Sequence, residues 1–483
     1  MIRTLGLLAV LLAWAPAAPA ETVKIGTTPA VTFVVLYAAE HLGYFKAEGI
    51  TAQFADFNPG SLQGTTLNGI GGLYQSATLG NPNIKPERVH ELETGVDLSL
   101  LRGRAALSVT RYDSKSKDVI FNVPLAPSTG YTSINVNAGE LTNKGWELTS
   151  DIQVLQRSDF SIQISGNWAR NRNLVTSLGV TQDQLAGKQP LPTAEDCTDA
   201  ALWARCQTGI GSSFAGQTTH AQVGYPLGVW RSQDFARCGR GLTNVLFGGT
   251  VYDVGTACQG APAGALYIAP NGFPITDPTP RAIGNPWPDW TAGISGTVNY
   301  KGFQLTAFLD HRQGGDVLNM TRSSMDQYGT HNDTEIRGDT VTFGKNFPCY
   351  NQTCGVLDGP VVGPGANLPV VIGEGWFSNS AIAAGNGQGA TGGPITTRLE
   401  DGTFTRLREV SLSYSFRGRW VSRIGGLRQL DAKISARNLK LWSHYSGYDP
   451  EVNLGGAQNA NRGIDWFNAP LARSWVMQLT FYH

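Results

Sequence analysis

The chain has 483 residues, 59 of them glycine, and only 15% are charged, with Lys+Arg 37 against Asp+Glu 37 and no net charge. That balance excludes the basic footprint of a nucleic-acid binder and a field that would steer a charged partner. An aromatic content of 10% excludes disorder, and so few charges beside so many glycines argue against a soluble helical enzyme, which leaves a β-rich chain with large loops.

Residues 1–20 read as a secretory signal peptide, with Arg3 as the positive start, Leu5 to Ala15 as a short apolar core and Ala18-Pro19-Ala20 as the cleavage site before Glu21. Over 21–57 the pattern predicts a strand at Val23–Gly26, a helix from Ala38 that ends at Gly49, and a second strand from Thr51 to Phe54, which together make a βαβ unit. These residues resemble the start of ABC-transporter solute-binding proteins of the nitrate/sulfonate/taurine type. A single βαβ unit cannot bury its own faces, so the segment is expected to be a fused or truncated remnant. A periplasmic substrate-binding protein is the alternative reading of the whole chain.

From residue 88 onward side chains alternate with a period of two, which places one set on each face of a strand. Trp146, Leu148, Ile152 and Val154 alternate with Glu147, Thr149, Asp151 and Gln153, and Phe160 to Trp168 repeats the pattern after a turn at Arg157-Ser158-Asp159. Similar segments are Glu91–Leu100, Arg104–Tyr112, Thr291–Tyr300, Phe303–Leu309, Val410–Phe416, Leu430–Ala436 and Trp475–Phe481, with a weaker strand near Val229. Turns are very short at Leu101–Gly103, Gln156–Asp159 and Lys301-Gly302, while the connections over 177–225, 237–288 and 313–403 are very long. Short turns on one side, long loops on the other and alternating strands are the signature of an outer-membrane barrel. Aromatic residues near strand ends fit its interfacial girdles. The fold class expected is therefore all-β, an antiparallel transmembrane β-barrel that is partial, with about ten strands and long extracellular loops, after the short βαβ fragment.

Several blocks then resemble the C-terminal half of SusC/RagA-type TonB-dependent outer-membrane receptors. They are Asn81-Pro82-Asn83-Ile84-Lys85-Pro86-Glu87 with Glu91 to Asp97, Asn137-Ala138-Gly139 to Asn143-Lys144-Gly145-Trp146-Glu147-Leu148, Ile283-Gly284-Asn285-Pro286 to Asp289-Trp290 with Tyr300-Lys301-Gly302-Phe303, Thr405-Arg406-Leu407-Arg408-Glu409-Val410 to Tyr414, and Asn438-Leu439 with Gly447-Tyr448-Asp449-Pro450-Glu451. Asn143-Lys144-Gly145 and Lys301-Gly302 are expected to supply turn residues that tolerate positive φ. The resemblance covers residues ~75–483 and implies a nutrient receptor for oligosaccharide or peptide in the outer membrane of a Gram-negative bacterium. Its partners would be the lipid and a SusD-like surface lipoprotein. The family's plug and TonB box have no counterpart in this sequence, which leaves TonB contact in doubt and suggests a truncated or misjoined gene. The expected organisation is 1–20 signal peptide, 21–57 solute-binding-protein-like fragment and 58–483 receptor barrel.

Six cysteines, Cys197, Cys206, Cys238, Cys258, Cys349 and Cys354, lie in the long connections. An even count in an exported chain points to disulfides. Proximity favours Cys197–Cys206, Cys238–Cys258 and Cys349–Cys354 among the possible pairings. The seven histidines are scattered without metal-ligand spacing, and neither a nucleophile elbow nor a P-loop occurs. No catalytic residue, metal site, cofactor or nucleic-acid partner is expected. Ligand-binding residues are unassigned, with Trp203, Trp230 and Trp376 able either to stack on sugars or to pack.

Overall fold

A computed structural model describes residues 21–27, 50–56, 62–67, 70–75, 77–125, 127–179, 207–209, 219–345, 357, 359–377, 394–454 and 462–483. The signal peptide, the expected helix from Ala38 to Gly49, Trp203, and Cys197, Cys206, Cys349 and Cys354 lie outside these residues. The chain divides into two compact units, residues 1–89 with 116–139 and residues 90–115 with 140–483.

In the first unit Glu21–Thr27 and Ile50–Asp56 pair in parallel, and Leu62–Leu67 with Ile70–Gln75 forms an antiparallel hairpin. Two of the sequence blocks meet here. The Asn137 amide donates to the carbonyls of Lys85 (2.7 Å) and Asp118 (2.7 Å), and its oxygen accepts the Lys85 N–H at 2.8 Å. Glu87 accepts the Ile120 N–H at 2.7 Å, and Arg88 pairs with Asp118 at 2.5 Å. Lys85-Pro86-Glu87 is extended because a residue that precedes proline is held out of the helical region.

Nine long strands dominate: β1 Arg88–Leu100, β2 Ala105–Pro124, β3 Ser133–Gln156, β4 Phe160–Leu178, β5 Trp290–Tyr300, β6 Phe303–Gln313, β7 Phe404–Arg417, β8 Gln429–Ser443 and β9 Ser474–Tyr482. The sheet order is β9-β8-β7-β6-β5-β4-β3-β2-β1, with Thr78–Leu79 added parallel to β3 as a tenth strand. Among the described residues β9 and β1 are the edges of this sheet. The tenth strand corrects the reading of Val229, because Val229–Phe235 belongs to a separate four-stranded sheet with Gln207–Gly209, Thr219–Gln222 and Thr276–Gly284. Its burial pattern is buried at both ends and lacks alternation, as expected of a strand packed on both faces rather than one exposed to two solvents. Strands β2, β3 and β4 have 20, 24 and 19 residues, about twice the 9–11 that a bilayer requires.

The short turns form where expected. Lys301 (φ 46°) and Gly302 (φ 88°) join β5 to β6, with Tyr300 paired to Phe303. Two central residues at positive φ give the turn whose twist matches the flanking strands. By contrast, Asn143-Lys144-Gly145 is not a turn and lies within the unbroken strand β3. Gly145 serves close approach instead. A Cβ there would sit 2.3 Å from the Tyr112 hydroxyl and 2.4 Å from the Arg170 carbonyl oxygen. Gly145→Ala is therefore expected to cost about 1–3 kcal/mol through overpacking, read as a lower temperature of the heat-dependent gel shift; an unchanged temperature would contradict this.

The described residues of the long connections pack rather than forming polar loops, with three buried apolar clusters among them. Phe235, Leu266, Ile336, Phe343, Ile372 and Trp376 belong to the first, Trp230, Leu318, Met320, Ile395 and Ile464 to the second, and Val245, Val254, Tyr267 and Ile275 to the third. The third lies beside the Cys238–Cys258 disulfide, which closes a loop of sequence separation 20 with Cα atoms 5.3 Å apart. A crosslink over such a loop stabilises by about 3 kcal/mol, chiefly by restricting the unfolded chain. Cys238→Ser is thus expected to make the 238–258 segment cleavable at protease levels that the oxidised parent survives; equal resistance would refute this.

Candidate functional site

The two faces of the sheet differ in kind, and the register aligns them across six strands. One row reads Ile162, Val298, Leu305, Leu412, Ile434, Met477 from β4 to β9. The adjacent row, on the other face, reads Ser161, Asn299, Gln304, Ser413, Lys433, Gln478. Ile162 and Val298 are half-buried and the row is exposed from Leu305 to Met477, with Leu412 44% and Met477 76% exposed, as in a surface made for lipid or another apolar partner. An aromatic row and a row with tryptophan at both ends bracket it. Phe160, Tyr300, Phe303 and Tyr414 are neighbours at the short-turn end, with ring centroids 6.1 Å apart for Phe160–Tyr300 and 4.3 Å for Phe303–Tyr414. The other row runs Trp168, Ala292, His311, Thr405, Trp442. Eight residues separate Tyr300 from Ala292, which is ~27 Å of strand and ~21 Å along the normal at a barrel tilt of about 40°, close to the ~25 Å apolar band of outer-membrane barrels.

On the polar face, Asn299 donates to Ser161 Oγ at 3.0 Å and Gln304 donates to Asn299 at 3.1 Å. These residues, with Ser413, Lys433 and Arg417, line an open basin of about 720 Å³ at the short-turn end. Such a surface suits water and polar solutes.

Near the other end of β7 a buried ion cluster clasps the connection that follows β8. Register shifts between Leu407 and Glu409 on β7 and between Phe308 and Leu309 on β6 mark bulges, which re-aim side chains. Arg406 reaches Asp449 at 2.5 Å and Glu451 at 2.9 Å, while Arg408 pairs with Asp310 at 2.5 Å and also with Glu451. Asp449 accepts the N–H groups of Glu451 (3.0 Å) and Leu471 (3.2 Å). Arg406 and Asp449 are almost wholly buried. The sequence places Arg406 and Arg408 in one block and Asp449 and Glu451 in another, and the fold joins the two blocks. Both carboxylates are committed to guanidinium groups, so this is a structural clasp rather than an acid and base.

A second polar network crosses the connections. Helix α1, Met320–Gln327, is capped by Asn319. Its Arg322 binds Asp333 at 2.5 Å and Glu400 at 3.3 Å, and Tyr445 donates to Asp465 at 2.7 Å. Burial beside Asp465 pushes the Tyr445 hydroxyl well above its ordinary range. Burial lowers the Arg398 guanidinium to about 9, and hydrogen bonding to Asp326 and Asp333 raises His331 to about 9. Trp230 and Trp376, candidate sugar-stacking residues in the sequence, are core residues instead. A different indole stands at a pocket of about 180 Å³ lined by Tyr112, Asn171, Asn173, Trp287, Trp290 and Arg462. Trp287 donates to the Leu227 carbonyl at 2.6 Å and stacks under Arg462 at 4.5 Å. Its signal in the sequence is the Asn285-Pro286-Trp287-Pro288 run.

Comparison with known proteins agrees with this architecture. A family model described as TonB dependent receptor-like, beta-barrel, matches residues 42–257. The match begins inside the segment read as solute-binding-protein-like. TonB-dependent receptor P3 of Formosa agariphila is 26% identical over 408 residues, 83% of this chain and 34% of the relative. SusC of Bacteroides thetaiotaomicron is 22% identical over 383 residues, 78% of this chain and 30% of SusC. Among solved structures, the RagAB peptide transporter superposes with a TM-score of 0.53 at 16% identity, covering 87% of this chain and 38% of that chain. The chain thus spans about a third of the length of the curated relatives it matches, and its resemblance to SusC/RagA-type TonB-dependent receptors lies in their β-barrel.

Proposed function

We propose, from this kinship with SusC/RagA-type TonB-dependent receptors, that the chain forms part of the barrel of an outer-membrane receptor for nutrient uptake. The observation that carries the reading is the pairing of one apolar and one polar row in register across six strands. The apolar row contacts lipid, and the polar row faces a water-filled interior. Residues 1–20 direct export as a signal peptide, and a SusD-like surface lipoprotein is the partner by family. The cargo is a bulky oligosaccharide or peptide, and the pocket at Trp287 and Arg462 suits either, since an indole stacks on a sugar face and a guanidinium binds carboxylates. Residues 21–57 are a separate βαβ-like segment, supported by the parallel pairing of Glu21–Thr27 with Ile50–Asp56.

Expression in a Gram-negative host tests the reading. The chain should sediment with the outer membrane, resist extraction by carbonate and migrate differently before and after heating. Recovery as a soluble periplasmic protein would overturn it.

A further inference from the structure

Arg462 lines the Trp287 pocket with its charge unanswered. Among the described residues its side chain makes neither an ion pair nor a hydrogen bond, and its guanidinium lies over the Trp287 ring at 4.5 Å. Burial alone lowers this guanidinium from its ordinary value, with no carboxylate acting to raise it. Arg172, the other cation of the lining, is already paired with Asp289 at 3.0 Å. Among the described residues the lining contains no carboxylate. A guanidinium laid on an aromatic face keeps its N–H edge free, and that edge takes a planar anion by two parallel bonds.

A second group of the same pocket is incomplete as well. Asn171 donates to Asn143 Oδ1 at 3.1 Å, which fixes the orientation of its amide, and its own Oδ1 is buried without a partner. A buried acceptor in that state costs free energy that a donor on a ligand would recover. Asn173, on the same face, is complete, since it donates to Asn143 at 2.8 Å and accepts the Leu227 N–H at 2.7 Å. The walls are held in place by their own contacts. Asp316 accepts the Asn285 N–H at 2.6 Å, the Asn285 side chain accepts the Trp287 N–H at 3.1 Å, and Arg312 donates to the Pro286 carbonyl at 2.9 Å. Next to Arg462, Gly463 at φ 78° passes so close to Pro286 that a Cβ there would lie 3.1 Å from the proline Cβ. Such preorganisation lowers the cost of binding.

The pocket thus offers a cation and a hydrogen-bond acceptor beside apolar rings. Extended peptides are recognised through backbone N–H and C=O groups, and here those groups are spent or absent. Pro226 and Pro288 carry no N–H, while Leu227 gives its N–H to Asn173 and its carbonyl to Trp287. A saccharide needs no such ladder, because its hydroxyls donate to an amide oxygen and its C–H face covers indole and proline rings. Resting on the receptor reading above, we propose that this pocket binds one unit of an acidic saccharide, with the carboxylate on Arg462 and a hydroxyl donated to Asn171 Oδ1. A space of about 180 Å³ admits a single ring rather than a chain.

The test titrates the full chain, purified from whichever cell fraction holds it, in a calorimeter. The probes are trigalacturonate, the same trimer with its carboxylates methyl-esterified, and a tripeptide with a free C-terminal carboxylate. Trigalacturonate is expected to bind at least ~10-fold more tightly than its neutral ester, as a charge-assisted bond allows, and to weaken as salt is added. Arg462→Gln should bring the two saccharides level, and Arg462→Lys should keep part of the preference. Equal affinity of the parent for both saccharides would overturn the proposal even if the variants misfold. A preference that survives in Arg462→Gln, tighter binding of the tripeptide than of trigalacturonate, or no binding of any probe at millimolar concentration would overturn it too. A chain that sediments with the outer membrane but shows no charge preference refutes the site alone, whereas a soluble chain refutes the receptor whatever it binds.

Discussion

Leu412→Arg is expected to cost about 2–4 kcal/mol of stability in a bilayer, whereas Ser413→Arg, one residue further on, should cost close to nothing. The two positions are neighbours on β7, yet their side chains stand on opposite faces. Leu412 pairs with Leu305 and Ile434 in the apolar row, and Ser413 with Gln304 and Lys433 in the polar row. An arginine at the centre of the lipid-facing row must bring its charge into hydrocarbon, with only partial relief from bending toward the interface. On the other face the same guanidinium meets water. Denaturant unfolding in liposomes measures both variants. Equal costs would mean that the two faces do not see different solvents.

Arg406→Met is expected to be the most damaging change within the loop-bearing part, by about 3–5 kcal/mol, because it leaves buried Asp449 without its cation. Asp449 would retain only the N–H groups of Glu451 and Leu471. Those bonds hold the connection after β8, so its release should expose the segment between Tyr445 and Leu471 to protease while β7 and β8 stay paired. The double variant Arg406→Met with Asp449→Leu should recover much of the loss, since a buried ion pair replaced by packed apolar groups is often neutral. Limited proteolysis with mass-spectrometric mapping reads both results. Cleavage spread over the whole chain would show instead that Arg406 supports the sheet.

The strands and their short turns were legible in the sequence because a strand between two solvents writes its environment into every second residue. Trp475, Met477, Leu479 and Phe481 could be read as one face before any pairing was known. Val229–Phe235 misled the strand count because a short strand without alternation carries no sign of which sheet it joins. Asn143-Lys144-Gly145 misled in another way. Its composition is that of a turn, but the reason for Gly145 is the Tyr112 side chain and the Arg170 carbonyl that press on it, and those contacts are not written locally.

The site was harder to read for the same reason. The apolar clusters of the connections draw residues such as Phe235, Ile336 and Trp376 from distant stretches with no common period. The clasp unites Asp310, Arg408 and Glu451, which are far apart in the chain. The Trp287 pocket is no different, since Asn171, Trp287 and Arg462 come to it from separate stretches of the chain.

The central claim is that β4 to β9 carry one face toward lipid and the other toward water. Single cysteines at Val298, Leu305, Leu412 and Ile434, and at Asn299, Gln304, Ser413 and Lys433, can be spin-labelled in outer-membrane vesicles and tested for collision with oxygen and with a water-soluble nickel chelate. The account predicts strict alternation, with the first set more accessible to oxygen and the second to nickel. Labels at Leu412 and Ser413 that respond alike to both reagents would contradict it.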